Sequence, residues 1–163
     1  MITAGTDGAC AGNPGPAGWA WVVDDTRWQS GSLGHATNNA AELEAILRAL
    51  VAVPLNADLT VLSDSDYAIK AVTVWHKAWR RNGWRTRNGG PVANKPRIEA
   101  ITALVQARTG VTRFEWVRGH AGHPLNEAAD KLAVRARTAS PRQVTLNGPA
   151  WASAGGPTVA LEG

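Results

Sequence analysis

Residues 58–63 (DLTVLS) are a short apolar run that stops at Asp64, Ser65 and Asp66 and resumes as Tyr67, Ala68, Ile69, Ala71 and Val72 at helical spacing. A strand that runs straight into a helix cap opens a βαβ unit, and it makes the sheet parallel at that point. Sheets of this kind take their ligands at the carboxyl ends of strands, which is where Asp64 falls. Asp64 would serve equally as a helix N-cap.

Ahead of this unit the chain alternates like a meander. Residues 1–9 read as a strand, and Gly12, Asn13, Pro14, Gly15 and Pro16 form a dense turn. Residues 17–23 set Trp19, Trp21 and Val23 on one face of a half-buried strand, and 27–33 is a weaker third strand. Asp7, next to Gly8, is either a turn former or a carboxylate delivered to a site. The spacing of Leu43, Ile46, Leu47, Leu50 and Val51 predicts a helix over 37–53, with Thr37 or Asn38 as N-cap and Pro54 beyond its end. Glu42 falls at the border of that apolar stripe, either as a surface carboxylate favoured by the helix dipole or as a second site group.

Beyond the βαβ unit, Trp75 and Trp79 share a helix face that Asn82-Gly83 breaks, and residues 94–106 form a further helix. Residues 111–117 (VTRFEWV) are a fifth strand leading into a Gly- and His-rich loop. A last helix then runs from about Asn126 to Arg137, with Pro124 suited to its first turn and Asp130 within it. His120 and His123 lack a second His or Cys pair at zinc spacing, so a zinc site is rejected.

The net charge of +4 is unevenly spread. Eight basic residues and no acidic ones lie between Lys70 and Arg97, leaving a mildly acidic remainder. A basic lobe carrying Trp75, Trp79 and Trp84 suits a polyanion, with Arg and Lys on phosphates and the rings supplying rigid apolar contact. At 163 residues the chain suits one folded domain, expected over 1–137, with an Ala/Gly/Pro-rich tail over 138–163. Part of that tail, around residues 144–151 with Trp151 as anchor, is expected to lie against the domain. Cys10 is the only cysteine, which excludes an intramolecular disulfide, and it reads as a small buried hydrophobe. No signal-peptide pattern is present and no apolar run approaches the ~18 residues of a membrane helix. The expectation is a soluble, cytoplasmic monomer that does not engage membranes.

The stretches TDGACAGNPGPAGWAW, TNNAAELEAI, VLSDSDYAI, WRRNGWRT and EWVRGHAGHPLNEAADKLA resemble type 1 ribonuclease H in order and spacing, over about residues 1–136. The resemblance implies an α/β fold with a five-stranded mixed sheet of order 3-2-1-4-5 flanked by helices. It implies that Asp7, Glu42, Asp64 and Asp130 converge as catalytic metal ligands. Hard oxygen donors suit two Mg²⁺ ions, with Mn²⁺ able to substitute. The implied reaction is two-metal-ion hydrolysis of the RNA strand of an RNA/DNA hybrid, leaving 5′-phosphate and 3′-hydroxyl ends. In it Asp7 bridges the metals, Asp130 holds the nucleophile-side ion, and Glu42 and Asp64 hold the other. His120 helps to deprotonate the water or to release product. Asn13, Asn38 and the backbone of Gly8, Ala9 and Cys10 would neighbour RNA 2′-hydroxyls, and Thr37 a DNA phosphate. Trp75, Trp79, Arg80, Arg81, Trp84 and Arg85 would grip the DNA strand.

Three positions depart from the family pattern. Ala40 stands where Arg is frequent, Asp66 where Gln is frequent and Ile98 where an aromatic residue is common. They bear on affinity and sequence preference, and none touches the four carboxylates. The competing readings are a DNA-directed nuclease of the same fold and a hybrid-binding module with a dead site. The basic lobe and the GHAGHP loop oppose the first, and the intact acidic set opposes the second.

Overall fold

The computed structural model describes residues 1–138 and 144–147. Three strands open the chain, β1 (Ile2–Cys10), β2 (Gly15–Val22) and β3 (Trp28–Ala36), followed by α1 (Asn38–Ala52) and β4 (Leu59–Ser63). Helices α2 (Asp66–Lys70) and α3 (His76–Arg81) are joined by a π-helical turn at Ala71–Trp75. Then come α4 (Lys95–Ala107), β5 (Thr112–Trp116), α5 (Pro124–Ala136) and β6 (Val144–Asn147).

The strands lie in the order β5-β4-β1-β2-β3-β6. Neighbours β1–β2, β2–β3 and β3–β6 are antiparallel, whereas β1–β4 and β4–β5 are parallel. The expected mixed order 3-2-1-4-5 is therefore present, and β6 extends it by pairing with Trp28–Gly31 on the outer side of β3. Trp151 and the rest of the tail beyond residue 138, β6 apart, lie outside the described residues.

Helices cover both faces of the sheet. On one face Trp19, Leu43, Ile46, Leu50, Leu59, Val61, Ile98 and Ile101 form the main core, joining α1 and α4 to the strands. On the other, Ala9, Ala20 and Val22 meet Ala129 and Ala133 of α5. This corrects the half-buried reading of β2. Its Trp19 and Trp21 enter the first core while Ala20 and Val22 enter the second, because a central strand here has a helix on each side. The small residues under α5 let its backbone approach closely. A Cβ at Gly5 would lie 2.6 Å from the Leu125 carbonyl oxygen, so only glycine admits this seating of the helix that bears Asp130.

Helix α1 begins at the Thr37 hydroxyl, which accepts from the Ala40 amide at 3.1 Å, so Thr37 and not Asn38 is the N-cap. Its far end is tied down by buried Arg108. The guanidinium donates to the carbonyls of Leu50, Val53, Pro54 and Ala57 and to the Thr112 hydroxyl. A cation at a helix C-terminus is favoured by the dipole, and here it also satisfies carbonyls that the helix leaves open.

Candidate metal centre and nucleic-acid interface

The parallel ladder between β1 and β4 runs from Ile2↔Leu59 to Gly5↔Leu62 and goes no further. Two more steps along each strand reach Asp7 and Asp64, so the two carboxylates stand at the same register beyond the last pair. Meanwhile β1 keeps its antiparallel pairing with β2 as far as Cys10↔Ala17. The result is a cleft between β1 and β4 into which Asp7 and Asp64 are delivered, with Glu42 supplied from α1 above β1.

One carboxylate oxygen from each of Asp7, Glu42 and Asp64 lies within 4.8 Å of the others, the only acid, His or Cys cluster of this kind among the described residues. Asp7 and Glu42 are 4% and 3% exposed, which decides their chemistry. Burial, with the charges of Asp64 and Asp130, raises Asp7 from 3.8 to about 7. Burial, then the Asp7 charge, pushes Glu42 well above its usual range. Asp64 is raised by burial and held down in part by the Asn126 amide and the charge of His120. Asp130 lies outside the close triad, yet its charge raises both Asp7 and Asp64.

The donor set fits a hard divalent cation. It consists of carboxylate oxygens alone, and buried Glu42 Oε2 has no hydrogen-bond partner among the described residues. An unanswered carboxylate oxygen away from water is costly, and a cation removes that cost. The N–H of Gly8 donates to Asp7 Oδ1 at 2.9 Å, which orients this carboxyl from its own strand.

Glu42 is thus fully inside, not at the edge of the apolar stripe, because α1 lies directly against β1 at this point. Asp64 does not cap the next helix; Ser65 does, accepting from the Ala68 amide at 3.1 Å. His120 is exposed on the loop before α5 with φ of 54°, and its charge acts on Asp64. Asn126, 2% exposed on the first turns of α5, was not singled out from the sequence. Its amide acts on Asp64, although Nδ2 makes no hydrogen bond of full geometry. Its place in the GHAGHPLN run, four residues before Asp130, is the signal that could have marked it.

Around the cleft, Asn13 and Asn38 come together, the Asn38 N–H donating to Asn13 Oδ1 at 3.1 Å. Ala9 is buried beneath α5, and Cys10 is only half-buried. The Cys10 thiol donates to the Ala36 carbonyl at 3.2 Å, so it is a strand-to-strand tie and not a buried hydrophobe. In the basic lobe Trp75, Trp79 and Trp84 form a chain of tilted rings with centroids 5.9 and 6.2 Å apart. Trp75 is exposed, Trp79 half-buried and Trp84 buried under Lys95. Trp84 therefore packs the lobe and offers no free face, a correction to its grouping with the contact residues. Arg80, Arg81 and Arg85 are exposed, with Arg85 donating to the Gly89 carbonyl at 3.1 Å. Of the departures, Ala40 and Ile98 are buried and so bear on packing, while Asp66 is answered by Lys70 at 2.9 Å.

Comparison with known proteins gives a consistent result. The RNase H family model matches residues 2–138. A ribonuclease H of Tropheryma whipplei (strain Twist) is 45% identical over 152 residues, covering 92% of this chain and 93% of that protein. A ribonuclease HI of Streptomyces coelicolor is 48% identical over 140 residues, covering 82% of this chain and 60% of that one. Among solved structures, RNase H1 from Halobacterium salinarum NRC-1 is similar at TM-score 0.57 and 30% identity, covering 83% of this chain and 96% of that one. LC11-RNase H1 in complex with RNA/DNA hybrid is similar at TM-score 0.61 and 25% identity, with the same coverages of 83% and 96%.

Proposed function

The chain belongs to the RNase H family, and we propose on that footing that it is an endonuclease hydrolysing the RNA strand of RNA/DNA hybrids, with two Mg²⁺ ions per site. The observation that carries this reading is the close triad of buried Asp7 and Glu42 with half-buried Asp64, which offers one oxygen each within 4.8 Å, while Glu42 Oε2 has no hydrogen-bond partner among the described residues. Asp7 would be the ligand common to both ions, Asp130 would serve the ion on the nucleophile side, and Glu42 and Asp64 would serve the other. Mn²⁺ substitutes, since the donor set is all hard oxygen. Bound there, the cations supply charge neutralisation and Lewis-acid polarisation at the scissile phosphate.

The chain's own groups do the rest. Asp7, Glu42 and Asp64 give up the protons that burial favours and, with Asp130, orient the reacting centre, and the His120 imidazole accepts a proton from the attacking water or eases product away. Water adds to phosphorus, the bond to the 3′ oxygen breaks, and that oxygen takes a proton, leaving 5′-phosphate and 3′-hydroxyl ends. Asn13, Asn38 and the backbone over Gly8, Ala9 and Cys10 meet 2′-hydroxyls, the group that separates RNA from DNA. Thr37 neighbours a DNA phosphate, and Trp75, Trp79, Arg80, Arg81 and Arg85 grip the DNA strand. The enzyme acts as a monomer in the cytoplasm. No helix among the described residues is long and apolar enough to cross a membrane.

The test uses a labelled RNA strand annealed to DNA, with MgCl₂ or with chelator, beside single-stranded RNA, duplex RNA and duplex DNA. Cutting confined to the hybrid and lost in chelator is the expected result. Cutting of duplex DNA, or binding without cleavage, would overturn it.

A further inference from the structure

We propose that Thr6 and Trp116 are positioning residues that hold the carboxyl end of β4, and with it Asp64, at a fixed separation from Asp7. The inference rests on the metal-dependent reading of the site and names side chains that reading does not use.

Where the β1–β4 ladder stops, β4 still has carbonyls to satisfy. The Leu62 carbonyl accepts from Thr6 Oγ1 at 2.9 Å, at the last pair of the β1–β4 ladder. The Ser63 carbonyl accepts from the Val117 amide at 2.9 Å, on the β5 side. The Asp64 carbonyl accepts from Trp116 Nε1 at 3.1 Å. Three consecutive carbonyls are thus occupied, the outer two by side chains. The Thr6 hydroxyl thus ties β1 to β4 at the last pair before the cleft, one residue ahead of Asp7 on β1 and two ahead of Asp64 on β4.

Thr6 is fully buried and directly precedes Asp7, so one hydroxyl couples the Asp7 strand to the Asp64 strand. Trp116 is 53% exposed, an unusual setting for the largest side chain. Its N–H is spent on the turn that carries a metal-ligating carboxylate. Groups that fix such ligands from behind typically affect metal affinity or activity by 10–100-fold when removed.

The experiment compares Thr6→Val, Thr6→Ser and Trp116→Phe with the unaltered chain. The first removes the donor at nearly constant shape, the second keeps it, and the third removes the indole N–H together with the rest of its five-membered ring. Chelated protein is titrated with MgCl₂ while the melting temperature is followed, and kcat and KM are measured on a hybrid. Thr6→Val and Trp116→Phe should raise the MgCl₂ midpoint and lower kcat by about tenfold, with KM unchanged, and Thr6→Ser should match the unaltered chain. A wild-type midpoint and kcat in Thr6→Val, whatever its melting temperature in chelator, would overturn the Thr6 role. So would Thr6→Ser behaving as Thr6→Val. A wild-type midpoint in Trp116→Phe overturns the Trp116 role, and this surface variant carries the test if Thr6→Val does not fold. An unaltered chain whose melting temperature ignores MgCl₂ would refute the metal reading itself, which is distinct from variants that merely match a responsive parent.

Discussion

Gly8 lies so close beneath Glu42 that a Cβ on Gly8 would run into the Glu42 amide nitrogen, with the Ala41 Cβ only 2.7 Å away. The same Gly8 donates its N–H to Asp7. One residue without a side chain therefore sets how near α1, and the carboxylate it carries, comes to β1.

Gly8→Ala should push α1 off β1. Both contacts are backbone or short side chain and cannot swing away, so a loss of about 1–3 kcal/mol is expected, as for overpacked cores. Urea denaturation measures it, and hybrid cleavage should fall more steeply than the folded fraction because Glu42 is displaced.

The buried carboxyls make the metal-free protein sensitive to pH. Asp7 titrates near 3.8 when unfolded and about 7 when folded, so the folded state holds its proton more tightly. The stabilisation from that proton is complete below about pH 4 and is lost as pH rises to about 7. Glu42 and Asp64, also raised, act in the same direction. His76, lowered chiefly by burial, acts oppositely, so Asp7→Asn is the control. Melting in chelator from pH 4 to 8 should fall less for that variant than for the unaltered chain. Added MgCl₂ should raise the melting temperature more at pH 8 than at pH 5.

Asp64→Asn should leave hybrid binding largely intact while cleavage falls by more than the ~100-fold typical of losing a group behind a ligand. Gel-shift and single-turnover assays on one preparation separate the two. Retained turnover would remove Asp64 from the assigned roles.

Arg80→Ala combined with Arg81→Ala should weaken hybrid binding with little change in kcat at saturation. If each guanidinium meets one phosphate, the slope of log K against log salt becomes shallower by about two. Binding measured at several KCl concentrations reads this directly.

Arg108→Met should destabilise without touching chemistry. It strands four carbonyls and the Thr112 hydroxyl, and buried acceptors left unpaired cost about 1–3 kcal/mol each before relaxation. Urea midpoints should drop sharply while kcat below the transition is unchanged.

Much of this arrangement is legible in residue order. The apolar run ending at Asp64, the helix over 37–53 and the strand bearing Asp7 are local patterns, and alternation or helical spacing reports them directly. Glu42 misleads because its position on the stripe says only that it borders the core, while its burial depends on α1 lying against Gly8. β2 misleads likewise, since a covering helix more than a hundred residues away buries its small-residue face of Gly18, Ala20 and Val22. Thr6 and Trp116 leave little trace, because their contacts join residues 50 or more apart and involve no special spacing, whereas Asn126 shows only through its place four residues before Asp130. The pairing of β6 with β3 is equally remote in sequence, and composition alone reads that segment as tail.

Asp7 and Asp64 share one step of register, and side chains on a strand change face at every residue. A sheet assembled one residue out of step would send Asp64 to the opposite face and leave Asp7 alone. Cleavage is thus a proofreader of assembly for this chain. A molecule with nearly correct secondary structure but a slipped central pair has no partial activity to offer, and appearance of turnover during refolding times the locking of β1 against β4 rather than collapse of the core.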